Sequence, residues 1–332
     1  MGAPVADIGS FFDALGNFFG NLADLNWLAL LLGLACFGIY LSLRSRAYFN
    51  VLRAAYPAER IRWRRIWGAY VAAYGFNNVV PARGGDVMKL FLTKLSVPNS
   101  TWSAIAAASV VELVFDGFMA IFILGFAFTQ GVFPKPPDFS KLHAFDLSFL
   151  AGHPRFTLFF ITALAVLGLV GFALLSARVR AFWARVKQGL TILFDRRRYV
   201  REVFLVQLAG WVFRVAAFWN LLDAFHIGGS VRNVLLVLGV NAVAAVVPFT
   251  PGGAGVQQAL LIKVLANGKA GASLVTAYSV GQQIAIAAFS FGLGFLAIVF
   301  VFRFRSFKDV IAAGRAERAK PPAANEMAPG AS

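Results

Sequence analysis

Apolar residues in this chain come in long unbroken runs separated by short basic clusters, not in alternation or narrow amphipathic stripes. A hydrocarbon core about 30 Å thick is crossed by roughly 20 helical residues. Three runs approach or exceed that length with no internal charge: 26–43, 157–176 and 273–302. Two more keep the length around ionisable groups, 103–128 with Glu112 and Asp116 and 203–225 with Arg214. The pattern predicts five membrane-crossing helices. The first run lacks a basic leader and a small-residue cleavage pattern, so it is expected to remain in the mature protein.

Two shorter apolar runs end differently. Residues 66–80 run into Pro81-Ala82-Arg83-Gly84-Gly85-Asp86, and residues 233–247 run into Pro248-Phe249-Thr250-Pro251-Gly252-Gly253-Ala254-Gly255. Short helix-compatible stretches follow, 87–95 and 256–266. Proline removes an amide donor and clashes with the preceding turn, while paired glycines allow a sharp reversal. Both segments are therefore expected to be broken or re-entrant helical hairpins, lying where protein or a wet cavity can satisfy the opened backbone. Asn78 and Pro81 in the first, and Asn241, Pro248, Pro251, Gly252, Gly253 and Gly255 in the second, are the candidate gating positions.

Composition and charge set the orientation. With 59% hydrophobic and 14% charged residues, the chain has too little polar surface to coat a soluble globule, which excludes soluble enzymes. Of 31 Lys and Arg, 21 fall in three segments, 44–65, 177–201 and the tail from Arg303. The positive-inside rule then predicts a multi-pass protein of the cell (inner) membrane with the N-terminus outside and the C-terminus cytoplasmic. Cys36 is the single cysteine, so no intramolecular disulfide forms.

Crossing, broken hairpin, crossing occurs twice, about 26–128 and 203–302, with helix 157–176 as linker. Val79-Val80-Pro81 then Gly84-Gly85 in the first half matches Val246-Val247-Pro248 then Gly252-Gly253 in the second. With the orientation above the halves run in opposite senses. The expected fold is thus all-α, a polytopic membrane protein of two inverted repeats, an architecture recurrent in transporters. A proline-kinked bundle with no transport path is the alternative. Outside this 26–302 domain, residues 1–25 read as an amphipathic N-terminal segment and 303–332 as a basic, disordered tail.

Arg83, Gly84, Gly85, Asp86 and Lys89 gather at the first break. Arginine offers a planar fork for phosphate, and amides freed at a helix start favour an anion, so a phosphate-bearing headgroup is the candidate ligand. Asp86 also suits a helix cap or a partner for Arg83 or Lys89. Glu112 and Asp116 share one helix face about 6 Å apart. Carboxylates at that depth bind a proton or cation, attract an amine, or pair with Arg214. Arg214 itself is alternatively a lipid-phosphate contact. Gln257, Gln258, Gln282 and Gln283 serve either as interhelical glue or as part of a substrate path.

Other chemistry is not encoded. The three histidines form no HExxH pattern, and no zinc cysteine pair, hydrolase elbow or nucleotide fingerprint occurs. No cofactor, metal or catalytic residue is expected. Basic residues in 177–201 interleave with Phe182, Trp183, Val186, Leu190, Ile192 and Leu193, as in an amphipathic helix lying on an anionic inner leaflet rather than on nucleic acid.

The run 77–86, the Glu112 to Asp116 pair and the run 247–256 together resemble the lysylphosphatidylglycerol synthase transmembrane family, also called flippase-like domain proteins, over roughly residues 27–302. The resemblance implies an integral membrane protein that moves a lipid between leaflets. It implies the stand-alone form, because only about 30 residues follow Phe302 where the synthases carry an aminoacyltransferase domain. Family members often have Arg after the acidic residue of the third motif. Leu113 stands there, leaving Arg214 as the possible substitute partner. The expected function is facilitated or ion-coupled movement of a phospholipid or lipid-linked headgroup, without ATP. An intramembrane lipid-modifying enzyme and a non-transporting scaffold of a lipid or envelope pathway are the rivals.

Overall fold

In the computed structural model, residues 24–78, 84–130, 182–244, 255–266 and 271–304, with 309, 312 and 315, are described, and their regular structure is entirely helical. Asn26 starts α1 (Trp27–Ala55) by accepting the Ala29 N–H at 3.1 Å, and Pro57 lies two residues beyond its end. α2 (Trp63–Asn77) and α3 (Gly84–Ser96) flank the first break. Thr101 caps α4 (Trp102–Thr129), accepting the Ala104 N–H at 3.3 Å. Asp195 caps α5 (Arg196–Ala224), which contains a π-turn at Val200–Phe204. α6 (Val231–Ala244), α7 (Val256–Leu265) and α8 (Ala272–Phe300) complete the order.

Among the described residues α1, α4, α5 and α8 are long and apolar enough to cross a bilayer. The fifth expected crossing, 157–176, lies outside them, as do the N-terminal segment up to residue 23 and nearly all of the tail. Leu113, Ile121 and Phe122 on α4 and Ile284, Phe295 and Phe300 on α8 are exposed, an apolar coat suited to lipid and costly in water.

The centre is an antiparallel pair, α1 against α5, tied at both ends. Asn26 N–H donates to the Ala224 carbonyl at 3.0 Å, and Asn50 Nδ2 donates to the Glu202 carbonyl at 2.7 Å. α3 runs back along α2, since Gly85 packs on Ala73 and Leu92 joins Ala69 in one buried cluster. α2 crosses α8 closely at two glycines, Gly75 against Ser290 and Gly294 against Ala72. Small residues at such crossings let helix backbones approach where no water drives them together.

Element lengths repeat. α1 to α4 have 29, 15, 13 and 28 residues, and α5 to α8 have 29, 14, 10 and 29. Contacts repeat with them: α2 packs on α8 and α6 on α4, α2 on α3 and α6 on α7, α3 on α4 and α7 on α8.

Two boundaries differ from the sequence expectation. α1 continues well past residue 43 and carries Arg44 into the protein, because Arg44 finds a carboxylate there. The basic segment 177–201 is not one surface helix. Helix 182–189 and the turn Thr191–Phe194 break before α5, which takes up Arg196 to Arg201. Ile192 is buried, Leu190 and Leu193 pack on the core, and Gln188 Nε2 donates to the Ala55 carbonyl at 3.0 Å. Part of that apolar face is thus used within the protein, while Phe182, Trp183 and Phe194 are exposed.

Candidate functional site

Gly85 allows α3 to lie against α2, since a Cβ there would run into the Ala73 carbonyl oxygen. The Gly85 N–H donates to Asn77 Oδ1 at 2.8 Å, and Asn77 Nδ2 donates to Asp86 Oδ1 at 3.0 Å. The Gly85 amide expected to be open to an anion is therefore taken by Asn77, and Asp86 is engaged at the start of α3. Asn78 caps the other side of the break, donating to the Tyr74 carbonyl and to Ser290 Oγ, each at 3.0 Å.

One turn along α3, Lys89 enters the bundle. Its Nζ lies 2.5 Å from Glu112 Oε2 on α4, and 4.2 and 4.9 Å from the ring centroids of Tyr48 and Tyr70. A carboxylate and two aromatic faces make an ammonium site, and Lys89 occupies it. Next to it, Arg44 reaches Asp116 with both guanidinium branches, at 2.5 and 2.8 Å, and donates to Tyr70 Oη and Gln207 Oε1, each at 3.2 Å. Tyr70 thus touches both cations.

Burial makes this pairing obligatory. Glu112 is 4% and Arg44 7% exposed, while the Asp116 side chain is 38% exposed. Unpaired ions at such depth carry a solvation penalty of several kcal/mol each, and pairing two cations with two anions offsets part of it. Hydrogen bonding is less complete. Glu112 Oε1 and Gln207 Nε2 have no hydrogen-bond partner among the described residues.

The cluster corrects the expectation for Arg214. Neither carboxylate pairs with it; its guanidinium lies 4.8 Å from the Trp211 ring and 5.5 Å from the Tyr40 ring. Lys89, not Arg214, takes the place of the arginine missing after Glu112. Arg44 was missed, counted among cytosolic anchors because it heads a basic segment. The spacing Tyr40, Arg44, Tyr48 on one helix face, directly after an apolar run, is the signal that could have found it.

At the second break the polar groups are neutral. Gln257 Nε2 donates to Asn241 Oδ1 at 2.8 Å, joining α7 to α6, and Gln258 Nε2 donates to Gln283 Oε1 at 2.8 Å, joining α7 to α8. Gln258 Oε1 also accepts the Gly255 N–H, and Gly255 holds φ +87°, a conformation that glycine alone adopts freely. Gln282 is buried beside this pair in sequence. Truncating Gln258 to Ala is expected to cost about 2 kcal/mol in detergent unfolding, the worth of two neutral hydrogen bonds. Pro81, Arg83, Pro248, Pro251, Gly252 and Gly253 lie outside the described residues.

A model of the lysylphosphatidylglycerol synthase TM region matches residues 14–294. No curated protein and no solved structure matches the chain.

Proposed function

The chain belongs to the lysylphosphatidylglycerol synthase TM region family and is a multi-pass membrane protein, and from that premise we propose that it moves a phospholipid or lipid-linked headgroup between leaflets. The observation that carries the reading is the buried Lys89–Glu112 pair. It bridges the returning limb of a broken hairpin to a long apolar helix, beside a second buried pair, Arg44–Asp116. Ionisable groups inside a membrane bundle mark substrate or ion pathways by default, because lipid offers no solvation for idle charge.

In this mechanism Lys89 leaves Glu112 for a headgroup phosphate, with Arg83 and the Gly84 end of α3 as further anion contacts. The exchange of Lys89 between Glu112 and the headgroup would make the movement facilitated or ion-coupled, without ATP. Asp116, more exposed, tunes the charge of the path, and Arg214 is a second phosphate contact. Pro81, Pro248, Pro251 and the glycines at 252, 253 and 255 shape the gates.

The reading includes two inverted repeats with re-entrant hairpins, the N-terminus outside and the C-terminus inside. Its support is the repeated order of helix lengths, the swapped contacts α2 on α8 and α6 on α4, and the antiparallel pairing of α1 with α5. Such swapped contacts are what a two-fold axis in the membrane plane produces. Under it Lys89–Glu112 and Gln258–Gln283 are counterparts, each joining the returning limb to the following long helix. The substrate headgroup would then be held mainly by the charged half, with Arg214 on α5 as the contact from the other. Transport rather than catalysis is the proposed activity.

The test is leaflet-resolved movement of labelled phosphatidylglycerol and a polyprenyl phosphate in proteoliposomes. Wild type is expected to raise the rate, and Glu112→Gln and Arg83→Ala to lower it about tenfold or more, equivalent to 1.4 kcal/mol. A wild-type protein that moves and binds neither lipid overturns the reading, as does lipid product formed in detergent, where no leaflets exist.

A further inference from the structure

We propose that a groove between α1, α2 and α8, on the opposite face of α1 from Arg44, holds one acyl chain of a phospholipid whose phosphate sits at Arg46. This requires only that the chain spans a bilayer, and it stands apart from transport. The groove has a volume of about 580 Å³ and is open rather than enclosed, so an acyl chain could enter it without a rearrangement of the helices.

Its floor is built for close approach. Ala35, Gly38 and Ser42 are spaced to share one face of α1, and their small side chains leave a trough beside the bulkier row of Ile39 and Leu43. The two polar groups along the trough are already satisfied: Trp67 Nε1 donates to Ser42 Oγ at 3.0 Å, and Ser42 Oγ donates to the Gly38 carbonyl at 2.9 Å. The surface offered to an occupant is therefore apolar. Phe289 and Leu293 of α8 close the far end.

The other end is cationic. Arg46 is exposed, lies 5.0 Å from the Phe49 ring and 5.8 Å from the Trp63 ring, and pairs with no carboxylate among the described residues. Trp63 begins α2 directly after Arg60 and Arg62 and before Arg64 and Arg65. Tryptophan and arginine together mark the headgroup level of a bilayer. Guanidinium groups there take phosphate oxygens through their planar fork.

Dimensions agree with a single lipid. From Ala35 to Arg46 the helix rises about 16 Å. That is about half of a 30 Å hydrocarbon core, the depth of one leaflet. A cation at one end, an apolar trough one leaflet deep and an open groove suit a phospholipid, and charge complementarity at Arg46 selects it over an uncharged chain.

The test is native mass spectrometry of the full chain in detergent, titrated with dioleoylphosphatidylglycerol and with dioleoylglycerol, which lacks the phosphate. Wild type is expected to retain one phosphatidylglycerol about tenfold more tightly than the diacylglycerol, a difference of 1.4 kcal/mol. Arg46→Gln, at an exposed position, should abolish that preference and leave diacylglycerol binding unchanged. Gly38→Phe should weaken both lipids, with Ala35→Leu as the milder filler should Gly38→Phe fail to fold. Retention unaffected by Arg46→Gln, or by the groove-filling variant that folds, overturns the site. So does a dimer that Gly38→Phe disrupts, because a second copy would then be the occupant. A wild type that moves lipid but retains none rejects the groove and leaves the transport reading standing.

Discussion

Replacing Lys89 with Met is expected to destabilise the protein by about 3–5 kcal/mol, because it leaves Glu112 charged, buried and unpaired. Glu112 is 4% exposed and its Oε1 has no hydrogen-bond partner among the described residues, and the neighbouring cation, Arg44, is already held by Asp116. Glu112→Leu alone should cost a similar amount through the stranded lysine. The double variant Lys89→Met/Glu112→Leu should recover most of the loss, since a matched apolar pair avoids desolvating two ions. Reversible unfolding in mixed micelles measures the three variants, and their non-additivity gives the coupling of the pair. The expected values change little between low and high salt, because screening acts weakly on buried charges. Three additive losses would show that the two side chains do not interact. If the double variant regains stability and still fails to move lipid, the pair serves function beyond its place in the fold.

Gly75→Leu is expected to cost about 3 kcal/mol by forcing α2 away from α8. A Cβ at Gly75 would run into the Ser290 carbonyl group, which is backbone and cannot rotate aside. Separating the helices also breaks the bond from Asn78 to Ser290 Oγ, so the side chain flanking the first break loses its anchor. Gly75→Ala should show the same sign at smaller size. Gly117 is the control: on α4 it has nothing within 4 Å of an added Cβ, and Gly117→Ala is expected to be neutral or stabilising by up to about 1 kcal/mol. Thermal unfolding in one detergent separates the two positions. A Gly75→Ala variant as stable as wild type would mean that the α2–α8 crossing is looser than its geometry.

Much of the helical plan was legible because its signals are local. Expected limbs 66–80 and 87–95 correspond to α2 (Trp63–Asn77) and α3 (Gly84–Ser96), and 233–247 and 256–266 to α6 (Val231–Ala244) and α7 (Val256–Leu265). Proline and glycine punctuate a chain through their own dihedral preferences, whatever packs around them. The four described long helices were legible for a similar reason: burial of apolar length in lipid needs no partner.

The site was only half legible. Glu112, Asp116 and Lys89 stood out as ions in apolar surroundings, but their partners did not. Arg44 and Asp116 are 72 residues apart, Lys89 and Glu112 are on different helices, and Arg214 was the wrong candidate. Which cation meets which carboxylate depends on how each helix is rotated about its axis and on which helix lies beside it. No local pattern encodes that rotation. Arg44 illustrates the limit: by sequence it heads a basic cluster at a membrane edge, and in the fold it is buried against Asp116 and Tyr70.

Residue order alone therefore settled that this chain is helical, that it belongs in a bilayer and where its helices break, because those follow from hydropathy, length and backbone chemistry summed residue by residue. The identity of the buried ion pairs, the use of Asn77 and Asn78 to close the first break, and the groove ending at Arg46 were decided by packing. Each depends on contacts between different helices, whose energy exists only once those helices have chosen their faces.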